Sequence, residues 1–203
     1  MFVKICGITR EADATAAVAC GASAIGFIFW PKSPRYVEPE RARAIVRSLP
    51  PFVTPVGVFV NEDVEHLNSV ADLVGLGAVQ LHGDETPDMV DAVNSPVVKA
   101  LGRIDAGTAT AWPERVRLLI DADDRERRGG TGARADWNAA AALARQRPIV
   151  LAGGLTPANV ADAVTRVGPF GIDVSSGVED APGIKNADRI RELFEVLRTV
   201  SRS

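Results

Sequence analysis

Two side chains in this 203-residue sequence have the types and settings of a proton-transfer pair, and two glycine- and serine-rich segments have those of a phosphate cradle. Cys6 lies between Ile5 and Gly7, at the end of an apolar run that begins at Phe2. A thiol so placed reads either as inert packing or, beside a positive charge that lowers its pKa, as the source of a thiolate base. Asp121 closes the run Leu118-Leu119-Ile120. A carboxylate there is costly to bury unless it is paired, protonated or useful. Raised into the neutral range it would serve as a general acid, and otherwise it caps the loop that follows. Gly153-Gly154 lets backbone N–H groups approach an anion closely, and Ser175-Ser176-Gly177 adds hydroxyl and backbone donors. Either glycine segment alone would read as a chain turn; the pairing is what points to phosphate.

These residues have to be brought together, and the elements that would do so alternate along the chain. Short, mainly apolar runs occur at 2–5, 24–28, 56–60, 78–81, 97–100, 116–120, 149–151 and 171–174. They carry little polar alternation, the pattern of strands buried on both faces. Between them lie amphipathic stretches, among them Ala42/Ile45/Val46/Leu49, Val160/Ala163/Val164/Val167 and Ile190/Leu193/Phe194/Leu197. Thr86-Pro87 and Thr156-Pro157 have the form of a capping hydroxyl before a first-turn proline, and Asn61 and Asp136 are further N-cap candidates. The fifth unit is the weakest, since 109–113 has room only for a short helix.

Eight strand-then-helix units imply parallel strands. An open doubly wound sheet is conceivable, but eight full units close more naturally into a single-domain (β/α)8 barrel spanning 1–203, small for a class of roughly 200–400 residues. In such a barrel the active site lies at the C-terminal ends of the strands. Cys6, the segment Trp30–Arg35, Asn61, His82-Gly83-Asp84, Asp121, Gly153-Gly154 and Ser175-Ser176-Gly177 all fall there.

Composition narrows the partners. Apolar residues make up 46% and charged residues 24%, a globular balance, and the net charge of -3 gives no basic field for nucleic acid or an acidic membrane. Arg125, Arg127 and Arg128 are interleaved with acids and read as a solvated loop. Two cysteines and two histidines at unrelated spacings fit neither a disulfide framework nor a zinc site. There is no signal-like start and no membrane-length apolar run, so a reduced, cytoplasmic protein is expected.

Several segments resemble, in order, those of the phosphoribosylanthranilate isomerase family. They are Lys4-Ile5-Cys6-Gly7-Ile8-Thr9, Gly26-Phe27-Ile28-Phe29, Ser33-Pro34-Arg35-Tyr36, Val56–Asn61, Gln80–Glu85, Leu151–Leu155 and Asp173–Glu179. The resemblance implies an Amadori rearrangement in tryptophan biosynthesis, with no cofactor. It makes Cys6 the general base and Asp121 the general acid, sets Arg35 near the anthranilate and Asp173 along the site, and gives the phosphate to Gly153, Gly154, Ser175, Ser176 and Gly177. The partner it implies is a small phosphoribosyl substrate, bound by a chain expected to be monomeric. One stretch departs from the family pattern: Ala133 and Ala135 stand where a lysine and a phenylalanine are usual, although Asp136-Trp137 follow. His82 has the family's place but reads as a structural or supporting histidine. Arg35, on an otherwise exposed loop, has a plain surface alternative. A lysine-dependent phosphosugar lyase or synthase using Lys4 or Lys99 as a Schiff-base amine, and a catalytically silent phosphate binder, are the rival readings.

Overall fold

Strand 1 pairs with strand 2 on one side and with strand 8 on the other, in parallel, so the sheet has no edge. The computed structural model describes residues 1–105, 107–121 and 135–200. The strands are β1 (Phe2–Cys6), β2 (Ala24–Ile28), β3 (Thr54–Phe59), β4 (Ala78–Leu81), β5 (Val97–Leu101), β6 (Arg117–Ile120), β7 (Ile149–Leu151) and β8 (Gly171–Val174). The helices are α1 (Glu11–Cys20), α2 (Pro39–Val46), α3 (Val64–Val74), α4 (Thr108–Ala111), α5 (Trp137–Ala144), α6 (Val160–Val167) and α7 (Ala187–Val200). A short antiparallel pair, β9 (Glu179–Ala181) and β10 (Ile184–Lys185), is inserted between β8 and α7. The (β/α)8 barrel expected from the alternation is therefore the observed fold, with every strand within two residues of its expected bounds.

Alternation along each strand sorts side chains into two sets. Ile5, Ile25, Phe27, Val79, Leu81, Leu118, Ile120 and Ile172 pack outward, in one core with the helices' apolar stripes. Residues of the opposite parity point into the barrel. Ala100, Leu119, Val150 and Ala152 cluster with Phe2, and Ala24, Val56 and Ala78 form a second small group against the same ring. Small residues prevail inside because eight closely spaced strands leave little volume on the axis. Towards the C-terminal rim the inward set turns polar, through Lys4, Gln80 and Asp173.

Local signals succeeded unevenly. Asp136 caps α5, accepting from the N–H groups of Asn138 and Ala139. Asn61 does not cap α3; Asp63 does, two residues later. Asn61 takes a left-handed conformation, φ 51°, and its Oδ1 accepts from the Asp84 N–H. Thr86-Pro87 opens a 3-10 helix, Pro87–Ala92, with no capping bond from the threonine hydroxyl. After Thr156-Pro157 the chain makes one more turn before α6, in which Asn159 Oδ1 accepts from the Thr156 N–H and Asn159 Nδ2 donates to the Gly154 carbonyl. The fifth unit has only the short α4, as its sequence allows.

Candidate active site

β1 delivers Lys4 and Cys6 to the barrel interior two residues apart. Lys4 Nζ donates to Asp173 Oδ2 of β8 at 3.0 Å, and both side chains are buried. Burial alone would pull the Lys4 ammonium down, but Asp173, with Cys6 beside it, outweighs that and the net shift is upward. Lys4 is thus held as a cation, the wrong state for the neutral amine that a Schiff base requires. Gly26 of β2 makes room for both neighbours: a Cβ there would lie 2.8 Å from Cys6 Sγ and 2.9 Å from Lys4 Cε.

The Cys6 thiol is not lowered. Burial pushes it up, more strongly than Lys4 and Lys185 pull it down, and Asp173 adds to the rise. The positive charge anticipated from the sequence is present, and desolvation of the thiolate exceeds it. Without substrate the group is accordingly a thiol at neutral pH. Its conjugate thiolate is correspondingly a stronger base, the property a C–H proton demands.

Asp121 follows β6 and is buried, and its backbone N–H bonds the Leu101 carbonyl. His82 Nε2 lies 3.3 Å from Asp121 Oδ2. On the far side of the imidazole, Gln80 Nε2 stands 2.9 Å from Nδ1. The imidazole is thus held between the Gln80 amide and the Asp121 carboxyl. The His82 loop is fixed from below. Glu85 accepts from the N–H groups of Asn61 and Gly83, while Lys99 Nζ donates to Glu85 Oε2 at 2.6 Å and to the Gly83 carbonyl at 2.7 Å. Lys99 has the outward parity of Val97 and Leu101 and lies against Trp112. It is a structural cation outside the barrel mouth, so neither lysine is placed as a catalytic amine.

Arg35 is buried, not a surface residue. Its Nε donates to Glu179 Oε1 and Oε2 at 2.9 and 3.1 Å, and its Nη2 donates to Oε2 at 2.7 Å. The aliphatic stem crosses Gly7, where a Cβ would come within 2.6 Å of Arg35 Cδ and 3.1 Å of Ser175 Oγ. Arg35, Gly7 and Ser175 therefore meet at the mouth, beside Cys6.

The loops after β7 and β8 also meet. Gly153 and Gly154 both have positive φ, 79° and 61°, which side chains disfavour. Ser176, Gly177 and Val178 form a 3-10 turn, and a Cβ on Gly177 would stand 1.9 Å from the Leu155 carbonyl oxygen. Only glycine permits this approach of the two loops. Two buried acceptors near the same end, Asp173 Oδ1 and Ser175 Oγ, make no hydrogen bond among the described residues. The sequence named neither Gly26, Gln80, Glu179 nor Lys185 as functional. Gln80 was detectable as a lone polar residue in an apolar strand, whereas Lys185 has no local signal. Ala135 is buried and Asp136 caps α5, while Ala133, the 129–132 glycine run and Arg125–Arg128 lie outside the described residues.

A (β/α)8 enzyme with acid–base groups and donor-rich loops at its C-terminal rim is the class these features define. The sequence profile described as N-(5'-phosphoribosyl)anthranilate (PRA) isomerase matches residues 3–196. The N-(5'-phosphoribosyl)anthranilate isomerase of Citrifermentans bemidjiense is 47% identical over 201 residues, covering 98% of each chain. A phosphoribosyl anthranilate isomerase in complex with reduced 1-(o-carboxyphenylamino)-1-deoxyribulose 5-phosphate superposes with a TM-score of 0.87 at 40% identity, over 98% of this chain and 99% of that one. Monomers of the dimeric enzyme of Thermotoga maritima give 0.86 at 39% identity, again over 98% and 99%. The chain belongs to the N-(5'-phosphoribosyl)anthranilate isomerase family and is an isomerase of tryptophan biosynthesis.

Proposed function

We propose that the chain carries out this isomerisation with Asp121 as general acid and Cys6 as general base, and that its phosphate-binding donors come from the loops after β7 and β8. The observation that carries the reading is the inward placement of both groups at one rim, each backed by a buried partner: Lys4 and Asp173 behind Cys6, His82 and Gln80 behind Asp121. Asp121 gives its proton to the furanose ring oxygen as the C1′–O bond breaks. The anthranilate nitrogen lone pair forms the C1′ iminium. Cys6, once its thiol has released its proton to solvent, removes the C2′ hydrogen as the thiolate, the electron pair flows to the iminium, and the enolamine tautomerises to the ketone. The substrate nitrogen is the electron sink, so the sequence of steps closes with side-chain acids and bases alone.

Asp173 Oδ1 and Ser175 Oγ, both buried and unbonded among the described residues, suit the ribose hydroxyls and phosphate that such a substrate presents. Gly153, Gly154, Ser176 and Gly177 supply the surrounding backbone donors. Arg35 faces the anthranilate carboxylate. Every residue used comes from one barrel, which supports activity as a monomer; light scattering at assay concentration reads this directly. Cys6 and Cys20 are free thiols, and no helix among the described residues is long and apolar enough to cross a membrane. A base that must stay unoxidised suits a reducing cytoplasm.

The test follows the loss of phosphoribosylanthranilate fluorescence with the native protein, Cys6→Ser and Asp121→Asn. Each variant is expected to lose at least ~10²-fold in kcat while folding normally. A folded native protein without activity would overturn the reaction; full activity in either variant would overturn that residue's role.

A further inference from the structure

The Arg35 guanidinium is one member of a buried triad. Glu179, the first residue of β9, takes two donors from Arg35. Its Oε1 also accepts from Lys185 Nζ at 2.7 Å and from the Gly183 N–H at 3.2 Å. Lys185 in turn donates to the Ser175 carbonyl at 3.2 Å, and its backbone N–H bonds Asp13 Oδ2 of α1 at 3.1 Å. The side chains of Arg35, Glu179 and Lys185 are at most 8% exposed. The β9–β10 hairpin thus inserts an anion and a cation beneath the mouth; neither is a proton-transfer group, although the Lys185 charge also reaches Cys6.

Burial opposes the charge on Glu179, but Arg35 and Lys185 outweigh it, and the carboxyl is held below its ordinary range. Burial pulls the Lys185 ammonium down. Two cations around one anion leave one net positive charge in a water-poor place, a cost recovered when an anion binds. The geometry says which part of Arg35 meets that anion. Nε and one proton of Nη2 are committed to Glu179, so the Nη1/Nη2 end is the edge left to face a ligand. A planar carboxylate matches that fork.

We propose that Glu179 and Lys185 are positioning residues that set the preference for a carboxylate-bearing aromatic amine by locking the Arg35 guanidinium in one orientation. The inference rests on the isomerase reading and on Arg35 as the carboxylate contact. It differs from a simple charge effect in sign. If net charge alone governed binding, Glu179→Gln would tighten the hold on an anionic substrate, because an anion leaves the triad. If orientation governs, the same substitution weakens it.

The experiment compares kcat and KM for phosphoribosylanthranilate and for the corresponding phosphoribosyl adduct of aniline, which lacks the carboxylate. The proteins are native, Glu179→Gln, Glu179→Asp and Lys185→Met. With Glu179→Gln, KM for the anthranilate substrate is expected to rise about 10-fold with kcat nearly unchanged, since the amide keeps only part of the charge-assisted hold on Arg35. The aniline adduct should be hardly affected, so the preference between the two collapses. Lys185→Met should lower the preference between the two adducts to a lesser degree, with kcat falling for both because the Lys185 charge also reaches Cys6, and Glu179→Asp should restore part of the preference. A lowered KM, or an unchanged preference in all folded variants, would overturn the proposal. Inactivity of the native protein towards both adducts would instead remove the isomerase reading beneath it.

Discussion

Lys4→Met strips one charge from the barrel interior and separates two roles that the native residue combines. Lys4 Nζ and Asp173 Oδ2 are 3.0 Å apart, with side chains 4% and 9% exposed. Methionine fills nearly the same volume, so cavity formation contributes little. What remains is a carboxylate stranded in a water-poor barrel, with its other oxygen already unbonded among the described residues. Removing one partner of a buried pair costs ~3–5 kcal/mol. For a protein of this size that corresponds to a fall in Tm of roughly 6–20 °C. Lys4→Met/Asp173→Asn removes both charges and is expected to regain most of the loss.

The pH dependence has a definite sign. The Lys4 pKa is raised on folding, so its stabilisation is complete below the ordinary lysine value and is lost only as pH climbs through the higher folded value. The gap between native and Lys4→Met should therefore persist up to about pH 9 and narrow in stronger alkali. Burial pushes the Cys6 thiol up, and Lys4 is the foremost group opposing that. Iodoacetamide labelling of Cys6 in a Cys20→Ser background should consequently require higher pH once Lys4 is gone, and the activity should fall with it. A destabilisation under ~1 kcal/mol, or a double variant no better than the single, would refute the stranded-charge argument. An unmoved labelling profile would refute the electrostatic link to Cys6.

Two further outcomes follow from the same geometry. Gly177→Ala places a Cβ against the Leu155 carbonyl oxygen and must part the loops after β7 and β8; KM for the phosphorylated substrate should rise at least ~10-fold while far-UV circular dichroism stays native, and an unchanged KM would show that the loops' contact is incidental. His82→Leu removes the ring nitrogen that faces Asp121 and should lower kcat about 10-fold with little change in KM, whereas His82→Gln, which can place a polar amide there, should recover part of the loss; equal activity of the two variants would reduce His82 to packing.

How far the sequence could reach is clearest at single positions. Ala24–Ile28 and Ile149–Leu151 were bounded correctly because a strand buried on both faces leaves an unbroken apolar run. Thr156-Pro157 precedes α6 by one turn, in which the Asn159 side chain accepts from the Thr156 N–H. Cys6 was placed at the right rim, but the balance between desolvation and a nearby cation depends on burial that no local pattern encodes. Arg35 looked exposed because its partner is 144 residues away. Lys4 and Lys99 both looked like candidate amines from spacing alone; only their parity on the strands and their distant partners, Asp173 and Glu85, distinguish a cation inside the mouth from one behind it.

Those distant partners also explain why the rim tolerates so many buried charges. Lys4–Asp173 and Lys99–Glu85 each join different strand units and are neutral as pairs, while Lys185–Glu179–Arg35 ties the β9–β10 hairpin to the loop after β2 and keeps one positive charge. Such pairs contribute little net stability against well-packed apolar replacements, yet are costly to break singly. A barrel filled with aliphatic residues at this level would therefore be no less stable, and it would have no group near Cys6 to offset burial and no fixed fork for a carboxylate. The charges are placed where folding is indifferent to the complete pair and the chemistry depends on its orientation. That asymmetry is why paired substitutions, which restore neutrality, are the ones able to recover the fold while leaving the reaction impaired: Lys4→Met/Asp173→Asn should regain native-like Tm and still lack the electrostatic support of the Cys6 thiolate.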